Sequence, residues 1–168
     1  MEVAARGLQS NACAVVTKPL SVLLIDDNPA RAEIVEAGLA AAGYRLLARD
    51  GSARWRALAD IAIACGIIEA QVARRAELLR SERERSDDFI GKMRDRCRRC
   101  FAALDERVAD FGASFDLAQI TAAVACEYED WRYGGDWRSV APKLAAWSDG
   151  LANWPSLQAT RPAETPQS

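Results

Sequence analysis

The sequence predicts a mainly α protein: a helical bundle preceded by a short βαβ fragment. Three observations carry this. From Gly51 onward, apolar residues recur at steps of three and four over long stretches. Residues that start and stop helices stand at the ends of those stretches. The one wholly apolar, branched run of strand length, Val22-Leu23-Leu24-Ile25, lies near the N-terminus.

Residues 1–19 show no sustained periodicity and are expected to form a flexible N-terminus. Residues 20–50 read as the βαβ fragment. The apolar run is its first strand, and Asp26-Asp27-Asn28-Pro29 ends it, with Asn28 and Pro29 suited to the N-cap and first helical position. Ile34, Val35, Leu39 and Ala42 mark one face of a helix that stops at Gly43, and Tyr44 to Ala48 reads as a second strand. Asp50-Gly51-Ser52 is the seam.

Residues 51–162 read as the bundle. Trp55, Leu58, Ile61, Cys65, Ile68, Val72 and Leu79 predict one face of a long helix ending near Leu79, with Gly66 inside it. After the mixed-charge stretch Arg80 to Arg85, Ser86 is placed to cap a second helix, and Asp87 and Asp88 complement its dipole. Its buried face is Ile90, Met93, Cys97, Phe101, Leu104, Val108 and Phe111, up to Gly112.

A central helix follows, opened by an N-capping box of Asp116 and Gln119 and a staple of Phe115 against Ile120. Its expected apolar face is Leu117, Ile120, Val124, Tyr128 and Trp131. Pro142 opens a further helix carrying Leu144, Trp147, Leu151 and Trp154, which Pro155 is expected to end. Residues 163–168 read as a disordered tail.

The composition narrows the function classes. A net charge of −2 and a pI near 5.3 give no general attraction to nucleic acid, and no nucleic-acid partner is expected. No apolar run approaches the roughly twenty residues that span a bilayer, and no basic cluster precedes an apolar core at the N-terminus. The expectation is a cytoplasmic protein without membrane contact. Five cysteines, an odd and scattered set, fit reduced thiols better than a disulfide framework. There is no histidine, which removes the commonest general base and metal ligand.

Few residues invite chemistry. Cys97-Arg98-Arg99-Cys100 has the spacing of a redox or metal pair but falls inside a predicted helix and lacks a second pair, so buried side chains are the better reading. The basic string Lys92, Arg94, Arg96, Arg98 and Arg99 is interleaved with acids and reads as a solvated face. Trp131, Tyr133 and Trp147 are the candidates for an apolar ligand pocket, with simple core packing the competing reading. No catalytic or cofactor-binding residue is assigned.

The capping box and staple, the aromatic turn Tyr128 to Trp137, and the segments Pro142-Lys143-Leu144-Ala145-Ala146-Trp147 and Trp154 to Pro162 together resemble the C-terminal helical domain of bacterial glutathione S-transferases. In that family a thioredoxin-like domain precedes the bundle and supplies the catalytic Ser, Tyr or Cys and the glutathione site. The loop after the first apolar run here offers no such thiol or hydroxyl, and that domain is expected to be missing.

Residues 21–50 resemble the opening of a response-regulator receiver domain, Asp26 and Asp27 matching its acidic Mg²⁺ pair. Two carboxylates alone make a weak metal site, and the phosphoacceptor of a receiver has no counterpart here. The resemblances imply a transferase-like domain that is inactive alone, uses no cofactor, and serves as a binding or interaction module. A homo-oligomer or a thioredoxin-like partner chain would complete it. The competing readings are a transferase component completed by another chain, a truncated receiver-like signalling protein, and a fusion product without selected function.

Overall fold

The computed structural model describes residues 46–112 and 115–160. The elements within them are all helical: α1 (Gly51–Leu78), α2 (Asp87–Arg107), a 3-10 turn (Val108–Asp110), α3 (Leu117–Tyr133), a second 3-10 turn (Asp136–Ser139), α4 (Pro142–Gly150) and α5 (Pro155–Ala159). Asp26, Asp27, the tail, and the expected fragment as far as Tyr44 lie outside the described residues. Leu46 to Ala48, read as the end of a second strand, is bend and irregular backbone instead. It pairs with a helix start and not with a strand: the Leu46 carbonyl accepts the Leu117 N–H at 2.8 Å. That bond satisfies one of the four donors that every helix leaves open at its N-terminus.

The long first helix is present, but its buried face is not the predicted one. Ala57, Asp60, Ala64, Ile67, Ala70 and Gln71 are buried, whereas Trp55, Val72 and Leu79 are largely exposed. The reason is that α2 and α3 both pack on α1, and small side chains let helix axes approach closely. Ala64 and Ala70 of α1 join Ala122 and Ala125 of α3 in one core cluster with Ile67, Phe101, Leu104, Trp137 and Leu144.

Ser86 caps α2, its Oγ accepting the Phe89 N–H at 3.2 Å. Glu77 at the end of α1 accepts the Ser86 N–H at 2.7 Å, and Arg85 donates to the Leu78 carbonyl at 2.9 Å, so the turn between the helices is tied to both. α2 ends at Arg107 and tightens into the 3-10 turn before Gly112, short of the predicted end.

Asp116 caps α3, its Oδ1 accepting the Gln119 N–H at 3.0 Å. The Gln119 side chain turns elsewhere than the expected box: its Nε2 donates to the Gly112 carbonyl at 2.8 Å and closes the preceding loop. Ile120 is buried, while the Phe115 ring lies 4.7 Å from that of Trp154. The most buried face of α3 runs through Ala118, Ala122, Ala125, Cys126 and Glu129. Leu117, Val124, Tyr128 and Trp131, predicted for that face, are half-buried, because the close approach to α1 favours the small side chains. Gly134 and Gly135, at φ of 80° and 77°, end the helix, and a Cβ on Gly135 would lie 2.8 Å from Asp130 Oδ1.

α4 begins after Ala141, which has no side chain able to cap it. Asp105 of α2, buried, fills that role from across the core by accepting the Leu144 N–H at 2.8 Å. The helix stops at Gly150, and Pro155, expected to end a helix, opens the short α5. Its fixed φ and missing N–H suit a first helical position.

Replacing Asp105 by Ala strands a buried N–H and should cost about 1–3 kcal/mol. Replacing Asp116 by Ala should cost about 0.5–2 kcal/mol, the usual loss of an N-cap. Urea melts of the two variants check this, and an Asp105→Ala loss below that of Asp116→Ala would show that α4 does not rely on the cross-core cap.

Candidate functional site

The last two turns of α3 place three aromatic rings in a row. Tyr128 meets Trp131 edge-on with centroids 5.9 Å apart, and meets Tyr133 edge-on at 6.4 Å. A guanidinium caps each end of the row: Arg132 lies 3.4 Å over the Trp131 ring, and Arg74, from α1, lies 3.8 Å over that of Tyr133. All three rings are half-buried.

A buried polar cluster sits at the Tyr133 end. Glu129 is 2% exposed and accepts hydrogen bonds from Gln71 Nε2 at 2.9 Å and from Arg74 Nη1 at 3.3 Å. The fully buried Gln71 donates from the same nitrogen to the Ala125 carbonyl at 2.8 Å. Tyr133 donates its hydroxyl to the Gln71 carbonyl at 2.8 Å. Gln71 Oε1 and the Nε atoms of Arg74 and Arg132 are buried without a hydrogen-bond partner among the described residues.

Burial raises the Glu129 carboxyl above the usual carboxylate range, opposed by the Gln71 amide and Arg74 and reinforced by Asp136 and Asp130. Burial also pushes the Tyr133 phenol up to about 12, with Tyr128 adding to the rise. The thiols move the same way. Cys97, which donates to the Ile67 carbonyl at 3.7 Å, is pushed up to about 12 by burial and then by Glu129. Cys126, Cys65 and Cys100 are raised too, each chiefly by burial. A thiol held protonated is a poor nucleophile and a poor metal ligand.

The other expected residues fall elsewhere. Trp147 is not part of the row but packs edge-on against Phe111 at 5.0 Å, so the expected trio is divided between two places. Cys97 and Cys100 lie inside α2. Three members of the basic string pair with acids: Lys92 with Asp88 at 2.7 Å, Arg96 with Glu69 at 3.0 Å, and Arg98 with Asp136 at 3.6 Å. Among the described residues, no three His, Cys, Asp or Glu side chains are grouped to hold a metal, and no helix is long and apolar enough to cross a membrane.

Small clefts also mark the surface of the described residues. One, of about 130 Å³, lies between α1 and the start of α3 and includes Arg56, Asp60, Arg107 and Asp116. The other, of about 90 Å³, lies beside Asp130, Arg138 and Asp149. Both fall short of the roughly 300 Å³ at which ligand pockets begin. Several of their charges are also engaged, Arg107 with Asp60, and Arg138 with both Asp130 and Asp149.

Sequence reasoning missed Gln71, Arg74 and Glu129. A signal existed for the first two, since Gln71 and Arg74 stand one turn apart on the stripe that holds Ala64 and Ile67. Glu129 carried none, because its partners are 55 and 58 residues away in sequence.

The raised carboxyl has a consequence for stability. The folded protein holds the Glu129 proton more tightly than the unfolded chain, so this group favours folding below the ordinary carboxylate range. That contribution is lost as pH climbs through the unfolded and then the folded value. Glu129→Gln cannot titrate, so the melting temperature of the variant minus that of the parent should increase between pH 4 and 8. Parallel profiles would show that the carboxyl is not raised.

No protein-family model and no curated protein sequence matches the chain. Solved structures do. A glutathione transferase family member from Pseudomonas fluorescens Pf-5, with bound glutathione, shares 38% identity at a TM-score of 0.72, over 83% of this chain and 68% of that one. A structure of such a family member from the same strain, with bound S-(propanoic acid)-glutathione, shares 42% identity at a TM-score of 0.69, over 72% of this chain and 64% of that one. A glutathione S-transferase from Methylobacterium radiotolerans JCM 2831, in complex with glutathione sulfonate, shares 26% identity at a TM-score of 0.68, over 82% and 68%. The chain thus spans about two thirds of the length of each structure.

Proposed function

Because this chain belongs to the glutathione transferase family, we propose that its described part is a helical domain of that family working as a non-catalytic binding module, with the aromatic row at the end of α3 as its binding surface. The observation that carries this reading is the row itself: three half-buried rings ordered edge to edge, with a guanidinium at each end. Aromatic side chains with a polar edge suit the recognition of planar, partly apolar ligands. The chemistry-bearing groups nearby are held in their unreactive forms. Tyr133 and Cys97 are both pushed up to about 12, and the Tyr133 hydroxyl donates a hydrogen bond to a backbone carbonyl.

The purified chain should turn over glutathione and a chromogenic chloronitrobenzene no faster than buffer. Calorimetry with glutathione should give no heat of binding at micromolar concentrations. Turnover above background, or micromolar affinity, would overturn the non-catalytic reading.

A second reading is favoured by the glutathione that the matched structures hold: the bundle completes a transferase whose glutathione site lies on another chain. Purification from the native cell should then bring down a thioredoxin-like chain in fixed ratio, and the mixture should be active where this chain alone is not. An inactive mixture, or the absence of such a chain, would remove this reading.

A further inference from the structure

The dipeptide Asp-Gly occurs twice in the chain, at Asp50-Gly51 and at Asp149-Gly150. Glycine has no Cβ to shield its nitrogen and turns freely about its backbone, so in this dipeptide the aspartyl carboxyl is open to attack by the next main-chain nitrogen. The fold gives the two pairs opposite settings.

Asp50 stands just ahead of α1 in extended backbone, with φ of −154° and ψ of −174°, and its side chain makes no capping hydrogen bond. Asp50 and Gly51 are both exposed. Gly51 is the first residue of α1, so its N–H is one of the four donors that a helix leaves open, and it meets no acceptor among the described residues. Its φ is 74°, and nothing lies within 4 Å of a Cβ built on it, which leaves rotation about the joint unhindered. The flanks are held instead: Leu46 by the Leu117 N–H, and Ala48 by Arg54, which donates to its carbonyl at 3.0 Å. The pair is a free joint between two anchored pieces.

Asp149 and Gly150 close α4, where the Gly150 N–H belongs to the helical ladder. Asp149 Oδ1 accepts from Arg138 Nη1 at 2.8 Å, and the Asp149 carbonyl accepts the Ala152 N–H at 3.1 Å. Crowding does not separate the two pairs, since a Cβ on Gly150 would also meet nothing within 4 Å. Hydrogen bonding does.

We propose that Asp50-Gly51 is a modification site at which the chain isomerises through a cyclic imide, and that the fold protects Asp149-Gly150 from the same change. The Gly51 nitrogen forms a bond to Asp50 Cγ, and one carboxyl oxygen leaves as water, taking the nitrogen's proton and the carboxyl's own. Water then adds back to one of the two ring carbonyls. Opening at Cγ restores aspartate, whereas opening at the main-chain carbonyl leaves an isoaspartyl link with a free α-carboxyl, its backbone running through Asp50 Cβ and Cγ. The link lengthens the main chain beside the first turn of α1 and presents the group that an isoaspartyl carboxyl methyltransferase esterifies. At Asp149-Gly150 the same attack requires the Gly150 N–H to leave its ladder first, and releasing one such hydrogen bond lowers the reactive population about tenfold.

The test holds the full chain at neutral pH in heavy-oxygen water and maps its peptides over time. Each passage through the ring returns with one heavy oxygen, and chromatography separates the isoaspartyl peptide from the aspartyl one. In the folded chain Asp50-Gly51 should take up label about tenfold faster than Asp149-Gly150. In concentrated urea the two should label within about twofold of each other, because the hydrogen bonds that separate them are gone. Asp50→Glu keeps the charge but would have to close a larger ring, so it should abolish labelling at that position and leave the rate at Asp149 unchanged. Equal rates in the folded chain, or a faster Asp149, would overturn the proposal. A folded chain that labels at neither pair while the unfolded one labels at both would show that Asp50 is held as well, and would also overturn it. The same ratio in urea as in the folded chain would assign the difference to neighbouring residues and remove the role given to the fold.

Discussion

The bundle depends on one carboxamide. Gln71 is fully buried where α1 meets α3, and its single nitrogen donates both to the Ala125 carbonyl and to Glu129. A buried amide without partners costs more than it contributes when paired, so α1 and α3 settle in the register that provides both acceptors. The alanines on either side permit the approach, and the amide selects among the positions they permit. Everything at the end of α3 follows from that choice. Glu129 is drawn under Arg74, and Tyr133 reaches back to the Gln71 carbonyl. The ring row takes its line from these anchors.

The later elements are too short to be stable alone, since isolated helices below about 12 residues are marginal in water. α4 and the second 3-10 turn are held by polar side chains reaching from elsewhere. Asp105 of α2 caps the nine-residue α4. Asp130 holds the indole of Trp137 and the guanidinium of Arg138, and Arg138 in turn reaches Asp149 of α4. Asp60 and Arg107 join the first turns of α1 to the last turn of α2. The polar groups left open at the ends of short elements thus become the joints between them.

What could be read from the sequence is what the chain specifies locally. Ser86 and Asp116 announce two helix starts because a cap needs only its own next three residues. The family likeness was legible for the same reason, since the capped start of α3 and the aromatic turn after it are contiguous. The face of α1 was not. Two stripes at helical spacing run along it, and the pattern favours the one with larger side chains, whereas the buried one is rich in alanine. Side-chain size predicts burial only where helices stand apart, and here they stand close. Of the candidate pocket, Trp131 and Tyr133 come together because they share one helix end, while Trp147 depended on a chain reversal that places it against Phe111. Pro155 shows a third kind of ambiguity. A proline after a helix and a proline opening the next look alike when the gap between them is four residues.

The hydrogen bond from Leu117 N–H to the Leu46 carbonyl fixes where the chain enters the bundle. Leu46 is tied to the first residue of α3, and the ring row stands toward the other end of the same 17-residue helix, about 16–24 Å along its axis. α3 therefore acts as a spacer. A load arriving through Leu46 meets α3 at its capped start, where Asp116 and the Leu46 carbonyl hold separate N–H groups of one turn. The two ends share no side-chain contact, so a substitution at one should leave the hydrogen bonds at the other in place.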